Sequence, residues 1–153
     1  PRVNGELPGH VFRARRGEKL ELEVELKLST KDKIRYLEII KNGRPIRQIR
    51  LADWAARGGQ LPAVEFTESG WLLVRVIADD PRAFRAAVSG PFYVEFDEQP
   101  RISRQAAEYF LDWVYQGARR LSLADTANRQ AVLLPHREGR DFWQARIEQA
   151  TAE

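Results

Sequence analysis

"SGWLLVRVIADD", residues 69–80, carries apolar side chains on both faces of an extended chain and sets one arginine, Arg75, among them. Side chains alternate along a strand, so Leu72, Val74 and Val76 share one face while Trp71, Leu73, Arg75 and Ile77 share the other. A strand that is apolar on both faces belongs in the middle of a sheet whose two sides are both covered. A layered β-domain is therefore the frame into which the other segments have to fit.

The neighbouring segments supply the other strands. "KLELEVELKL" at 19–28 places Leu20, Leu22, Val24, Leu26 and Leu28 on one face and Glu21, Glu23, Glu25 and Lys27 on the other, the pattern of a half-buried antiparallel strand. "IRYLEIIKNGRPIRQIRL" at 34–51 reads as two strands joined through Asn42-Gly43, a dipeptide that tolerates positive φ at both central positions of a type I′ turn. Pro45 assigns the second arm to a sheet edge. A short strand at 10–14, "AVEFTE" at 63–68 and "PFYVEF" at 91–96 bring the number to about seven, with a loop and one helical turn expected over 52–60. The fold class this predicts is mainly β, an immunoglobulin-like β-sandwich occupying residues 1–100.

After Pro100 the composition shifts towards alanine, and residues 101–153 are expected to be a C-terminal helical extension packed on one sheet of the sandwich. Ser103 is a candidate N-cap with Ile102 ahead of it. Phe110, Val114, Gly117 and Leu121 centre an apolar face that Ala106, Ala107, Trp113 and Ala118 widen to roughly 200°. A face so broad is expected to meet the sheet on one side and a second helix, at 138–150, on the other. Between them the sequence shows a short helical stretch near 122–131 and a break at Pro135.

In a sandwich of this type the strands at 34–41, 70–78 and 91–96 share a sheet with the second of them in the middle. Leu72, Val74 and Val76 then face the core with Leu37, Ile39, Phe92, Val94 and Phe96. Tyr36, Ile40, Trp71, Leu73, Ile77 and Tyr93 lie on the outer face, which the helix is expected to cover. Parity puts Glu38, Arg75 and Glu95 on that outer face as well. A partly buried Glu38, Arg75, Glu95 ion-pair cluster is predicted, a structural device that sets strand register.

The 153 residues suffice for one domain, or for a small domain with an extension. Apolar residues at 43% and charged residues at 31% are ordinary for a globular protein, and no apolar run reaches the ~18 residues of a membrane helix, so no membrane partner is expected. The sequence opens on Pro1 and contains no methionine, which points to a piece of a longer chain. The net charge of +3 and pI near 9.5 do not imply nucleic-acid binding, because the basic residues are scattered among acids such as "ELEVEL" at 21–26.

The chemistry-bearing residues are sparse. Without cysteine there is no disulfide, thiolate metal site or thiol nucleophile. His10 and His136 stand at opposite ends of the chain outside any HxH or HExxH spacing, so neither a metal nor another cofactor is expected. "DDP" at 79–81 is a turn, Ser69 and Ser89 lie outside a GxSxG elbow, and the glycines at 43, 58, 59 and 70 fit turns rather than a phosphate cradle. No residue is assigned a catalytic role. Trp54 lies outside the core-facing pattern and is the candidate partner contact.

Several of these segments recur together in a known family. "NGELPG" at 4–9, "LEIIKNGRPI" at 37–46, "SGWLLVRV" at 69–76 and "SGPFYVEF" at 89–96, followed by an alanine-rich helical tail, resemble the C-terminal region of carbaryl-hydrolase-like metallohydrolases of the PHP (polymerase and histidinol phosphatase) type. The resemblance implies a non-catalytic accessory domain that follows a metal-binding barrel in one polypeptide, so the upstream catalytic domain is the expected partner. That family's metal-binding histidines and aspartates have no counterparts here. Where many relatives carry a histidine just before the last strand, this chain reads "AAVSGP" at 86–91. The alternative expectation is a self-contained sandwich module that binds a carbohydrate or a protein through Trp54 and the segments 29–33 and 79–87.

Overall fold

The computed structural model describes residues 1–121 and 129–153. They form two compact units, Pro1–Pro100 and Arg101–Glu153, and each is described in its own right.

The first unit is an immunoglobulin-like β-sandwich. One sheet contains β1 (Arg2–Val3), β3 (Leu20–Glu25) and β6 (Gln60–Phe66), in the order β1-β3-β6. The other contains β2 (Val11–Ala14), β4 (Ile34–Lys41), β5 (Arg44–Ile49), β7 (Gly70–Ala78) and β9 (Phe92–Phe96), in the order β2-β9-β7-β4-β5, with β8 (Ala86–Val88) also paired to β7. The strand with two apolar faces thus takes a central position. β4 runs along one side of it, from the Ile34↔Ala78 pair to the Lys41↔Leu72 pair. Its other side is divided: β9 pairs with Gly70–Leu72 and β8 with Arg75–Ile77. β2 adds to β9 in parallel, while every other pairing is antiparallel.

The core lies between the sheets and follows the alternation. Leu72, Val74 and Val76 are buried with Leu37, Ile39, Phe92, Val94 and Phe96 from their own sheet and with Leu22, Val24, Val64 and Phe66 from the other. Register shifts between Leu22 and Val24, after which β3 ends at Glu25 although Leu26 is still buried. Asn42 (φ 50°) and Gly43 (φ 83°) close the β4-β5 turn with positive φ at both positions, and β5, which carries Pro45, is an edge.

Gly70 is not in a turn, contrary to the expectation from its neighbours: it is buried and opens β7. A Cβ there would stand 2.6 Å from Asn42 Oδ1 and 2.9 Å from Phe66 Cε1. The Asn42 oxygen is already committed, accepting the Trp71 N–H at 2.9 Å. Gly70→Ala should therefore displace both the hairpin cap and a core ring, costing about 1–3 kcal/mol. Urea titration checks this as a lower midpoint at unchanged slope.

The second unit is an antiparallel helical hairpin. α1, the single helical turn at Leu51–Ala56, belongs to the sandwich, while α2 (Arg104–Arg119) and α3 (Arg129–Glu148) make up the hairpin. Ser103 caps α2, its side chain accepting the Ala106 N–H at 3.2 Å. Phe110 stacks on Trp143 with centroids 4.7 Å apart. Further along, Val114 meets Gly139 and Gly117 meets His136, so the same register runs down the seam. At the open end, Thr151 N–H donates to Ile102 O at 3.0 Å and Ile102 N–H to Thr151 Oγ1 at 2.9 Å.

The break expected at Pro135 is not found, because Pro135 lies inside α3. Proline removes one backbone donor, but His136, Gly139 and Trp143 all contact α2, and packing of this kind overrides local propensity. The short helix expected near 122–131 falls largely outside the described residues, and 129–131 belong to α3.

Candidate functional site

Arg75 and Glu38 are directly opposite in the β4-β7 ladder, and their side chains meet. Arg75 Nε donates to Glu38 Oε2 at 2.7 Å, with Nη2 2.6 Å from the same oxygen. Gln48, opposite Glu38 on β5, approaches Oε1 at 3.5 Å. The Glu38 side chain is 7% exposed and that of Arg75 35%. A row Gln48, Glu38, Arg75 thus crosses three strands.

Glu95 does not join this row, which corrects the predicted three-residue cluster. β9 meets β7 only at Gly70–Leu72, so Glu95 lies beyond the end of that pairing, and Arg75 is opposite Val88 instead. Glu95 stands 3.8 Å from Arg13 on β2, its parallel partner. Trp54 is also placed differently from a loop contact. It sits on α1, partly buried against the core, with Nε1 enclosed and without a hydrogen-bond partner among the described residues. Its indole is wall material of the sandwich.

The segments 29–33 and 79–87 converge at one end of the sandwich. They enclose a cleft of about 180 Å³ whose floor is Leu28, Ile34, Val76, Ala78, Ala86 and Ala87, and whose rim is Ser29, Thr30, Asp32 and Arg85. β8, absent from the sequence-level expectation, forms one wall. A three-residue run of Ala86, Ala87 and Val88 is too short and too rich in alanine to show strand periodicity.

Ion pairs and turns hold the two walls together. Asp79 N–H donates to Lys33 O at 2.7 Å, and the side chains of the same two residues pair at 3.3 Å. Arg85 reaches across the cleft mouth, with Nη1 3.3 Å from Asp32 Oδ1 and Nε 3.3 Å from Asp80 Oδ2. Asp80 is the hub of its own turn and accepts the Arg82 N–H at 2.9 Å. Phe84, at the tip, is 80% exposed. The rim therefore carries a carboxylate, a guanidinium and two hydroxyls above an apolar floor, with Asp32 and Arg85 paired to each other and the Thr30 hydroxyl bonded to the Asp32 backbone.

The hydrogen bond from the Arg82 backbone N–H, assisted by the Arg85 charge and opposed by partial burial, holds the Asp80 carboxyl below the ordinary value of 3.8. A carboxyl depressed in the folded state contributes stability above its unfolded pKa and loses that contribution as pH falls through the folded one. As pH falls below the ordinary value of 3.8 the wild-type loop should thus loosen as Asp80 takes up a proton, and Asp80→Asn should remove that step. Amide exchange of residues 82–85 across this range reads it out; identical profiles for the two proteins would remove Asp80 from the hub.

The fold and the loop-end cleft define a β-sandwich module of immunoglobulin-like type. No family model matches the chain, and no curated protein matches it. Among solved structures the chain is similar to the fibronectin(III)-like modules of Clostridium thermocellum CbhA, with 17% identity, a TM-score of 0.36, and coverage of 58% of this chain and 91% of that one.

Proposed function

We propose that this β-sandwich module is a non-catalytic accessory domain of a larger PHP-like metal-dependent hydrolase, where it stabilises the catalytic barrel or borders its substrate cleft. The observation that carries the reading is the preorganised loop end. Asp32, Arg85 and Asp80 tie two loops into one rim, and a rim held in place is what a domain needs to shape a neighbouring cleft. The link to that enzyme class rests on the motifs at 4–9, 37–46, 69–76 and 89–96.

The test is removal of the module from the intact hydrolase. The truncated enzyme is expected to lose thermal stability or to change its substrate range while keeping its metal. An enzyme unchanged in both respects would refute the proposal.

The cleft itself favours a second reading, a self-contained module that binds a carbohydrate. Its polar rim over an apolar floor suits a neutral polyol, and Phe84, which precedes the rim residue Arg85 in the chain, is exposed. A glycan array probed with the isolated chain separates the two readings: saturable binding abolished by Arg85→Ala supports this one.

A further inference from the structure

The helical hairpin contains a second cleft, between α2 and α3, whose chemistry differs from that of the loop end. It measures about 150 Å³, room for roughly five waters. Val114, Ala118 and Leu133 form its apolar floor. His136, Arg137, Arg140 and Tyr115 surround the floor, and no acidic side chain lines it among the described residues.

The basic side chains are not equivalent. Arg140 is shared with Asp141, at 2.8 Å through Nε and 2.7 Å through Nη2. Arg137 is exposed and has no carboxylate partner among the described residues. His136 is fixed by packing, because a Cβ on Gly117 would stand 3.3 Å from its Cε1. That glycine lets the imidazole close the inner end of the cleft.

We infer that this cleft binds a small amphiphilic anion, a carboxylate on a flat apolar body, with Arg137 taking the carboxylate and Val114, Ala118 and Leu133 taking the body. Charge complementarity decides between ligand classes: a guanidinium with no carboxylate partner among the described residues, above apolar side chains, rewards a negative charge attached to an apolar group. A planar guanidinium also binds a carboxylate through two parallel N–H groups and stacks on an aromatic face, which an ammonium cannot do. A neutral apolar ligand gains nothing from the Arg137 charge, and a cation is repelled. Binding at this cleft is independent of the role proposed for the sandwich.

The test uses the full 153-residue chain and benzoate as the probe, followed by amide chemical shifts, with benzyl alcohol and benzylammonium as isosteres of other charge. Saturable shifts confined to residues 114–118 and 133–140 are expected with benzoate. Benzyl alcohol should bind at least tenfold more weakly, as should benzoate to Arg137→Gln. Because Arg137 is on the surface, that variant is expected to fold, and circular dichroism identical to wild type confirms it. Arg140→Gln gives a second reading on the same rim should that spectrum differ. The inference is overturned by shifts that do not saturate, by equal binding of benzoate and benzyl alcohol, or by undiminished benzoate binding in a folded arginine variant.

Discussion

Phe92→Ala is expected to cost about 3–5 kcal/mol, more than any truncation on the surface of the sandwich should. Phe92 is fully buried and lies opposite Leu72, where β9 joins the central strand. Its ring fills the space between the sheets beside other fully buried side chains, among them Phe66, Leu22 and Ile39. Cutting it to a methyl group removes apolar area and leaves a cavity that a two-sheet core cannot collapse around, since each sheet is held rigid by its own ladder. For a unit of about one hundred residues, a loss of that size lowers the melting temperature by roughly 12 °C or more. Thermal unfolding followed by far-UV circular dichroism measures it. A fall under a few degrees would mean that Phe92 does not bridge the sheets.

The second large effect concerns the buried ion pair, and it should be asymmetric. Arg75→Ala strands the Glu38 carboxylate, almost wholly enclosed, with only the distant Gln48 amide as a donor among the described residues. The expected loss is about 3 kcal/mol, the lower end of the range for an uncompensated buried charge. Glu38→Ala strands a guanidinium that is one-third exposed and can reach water, so about 2 kcal/mol is expected. The double variant should lose less than the two single losses together, because it leaves no charge unpaired. Glu95→Ala, which loosens only an exposed contact with Arg13, should stay within about 0.5 kcal/mol. Denaturant unfolding of the wild type and these four variants provides the cycle and the comparison; equal losses for Glu38→Ala and Glu95→Ala would contradict the pairing described.

Why the sequence led to Glu38 but misplaced Glu95 is a matter of register. Parity assigns a side chain to a face, and it did so correctly for Leu72, Val74 and Val76, which are buried, and for Arg75 and Glu38, which share the other side. It does not say how far one strand slides past the next. That offset depends on turn length and on what else occupies the edge. Between β4 and β5 the Asn42-Gly43 turn is two residues long, and the hairpin was legible at once. β9 returns only after β8 has taken Arg75–Ile77, so it is confined to the first residues of β7, and Glu95 is carried past Ser69, whose hydroxyl accepts the Phe96 N–H. The three alanine-rich residues of β8 have no periodicity to reveal them, and with them went the correct register.

The site divides in the same way. Segments 29–33 and 79–87 stood out as loops, and Asp79-Asp80-Pro81 as a turn, because the residues that terminate strands have local signatures. That Arg85 would span to Asp32 was not visible, since the two are 53 positions apart and neither belongs to a periodic run. Trp54 shows the reverse error. Outside the strand pattern it looked like a free aromatic, yet one helical turn at Leu51–Ala56 rotates it against the core.

The whole arrangement rests on β7 being flanked by β4 on one side and by β9 and then β8 on the other. Cross-strand backbone NOEs in the folded protein probe this pairing residue by residue. Contacts of Arg75 with Glu38 and with Val88, and of Trp71 with Tyr93, are expected. Contacts between the Arg75 and Glu95 backbones, with none from Arg75 to Val88, would show that the strand order is wrong.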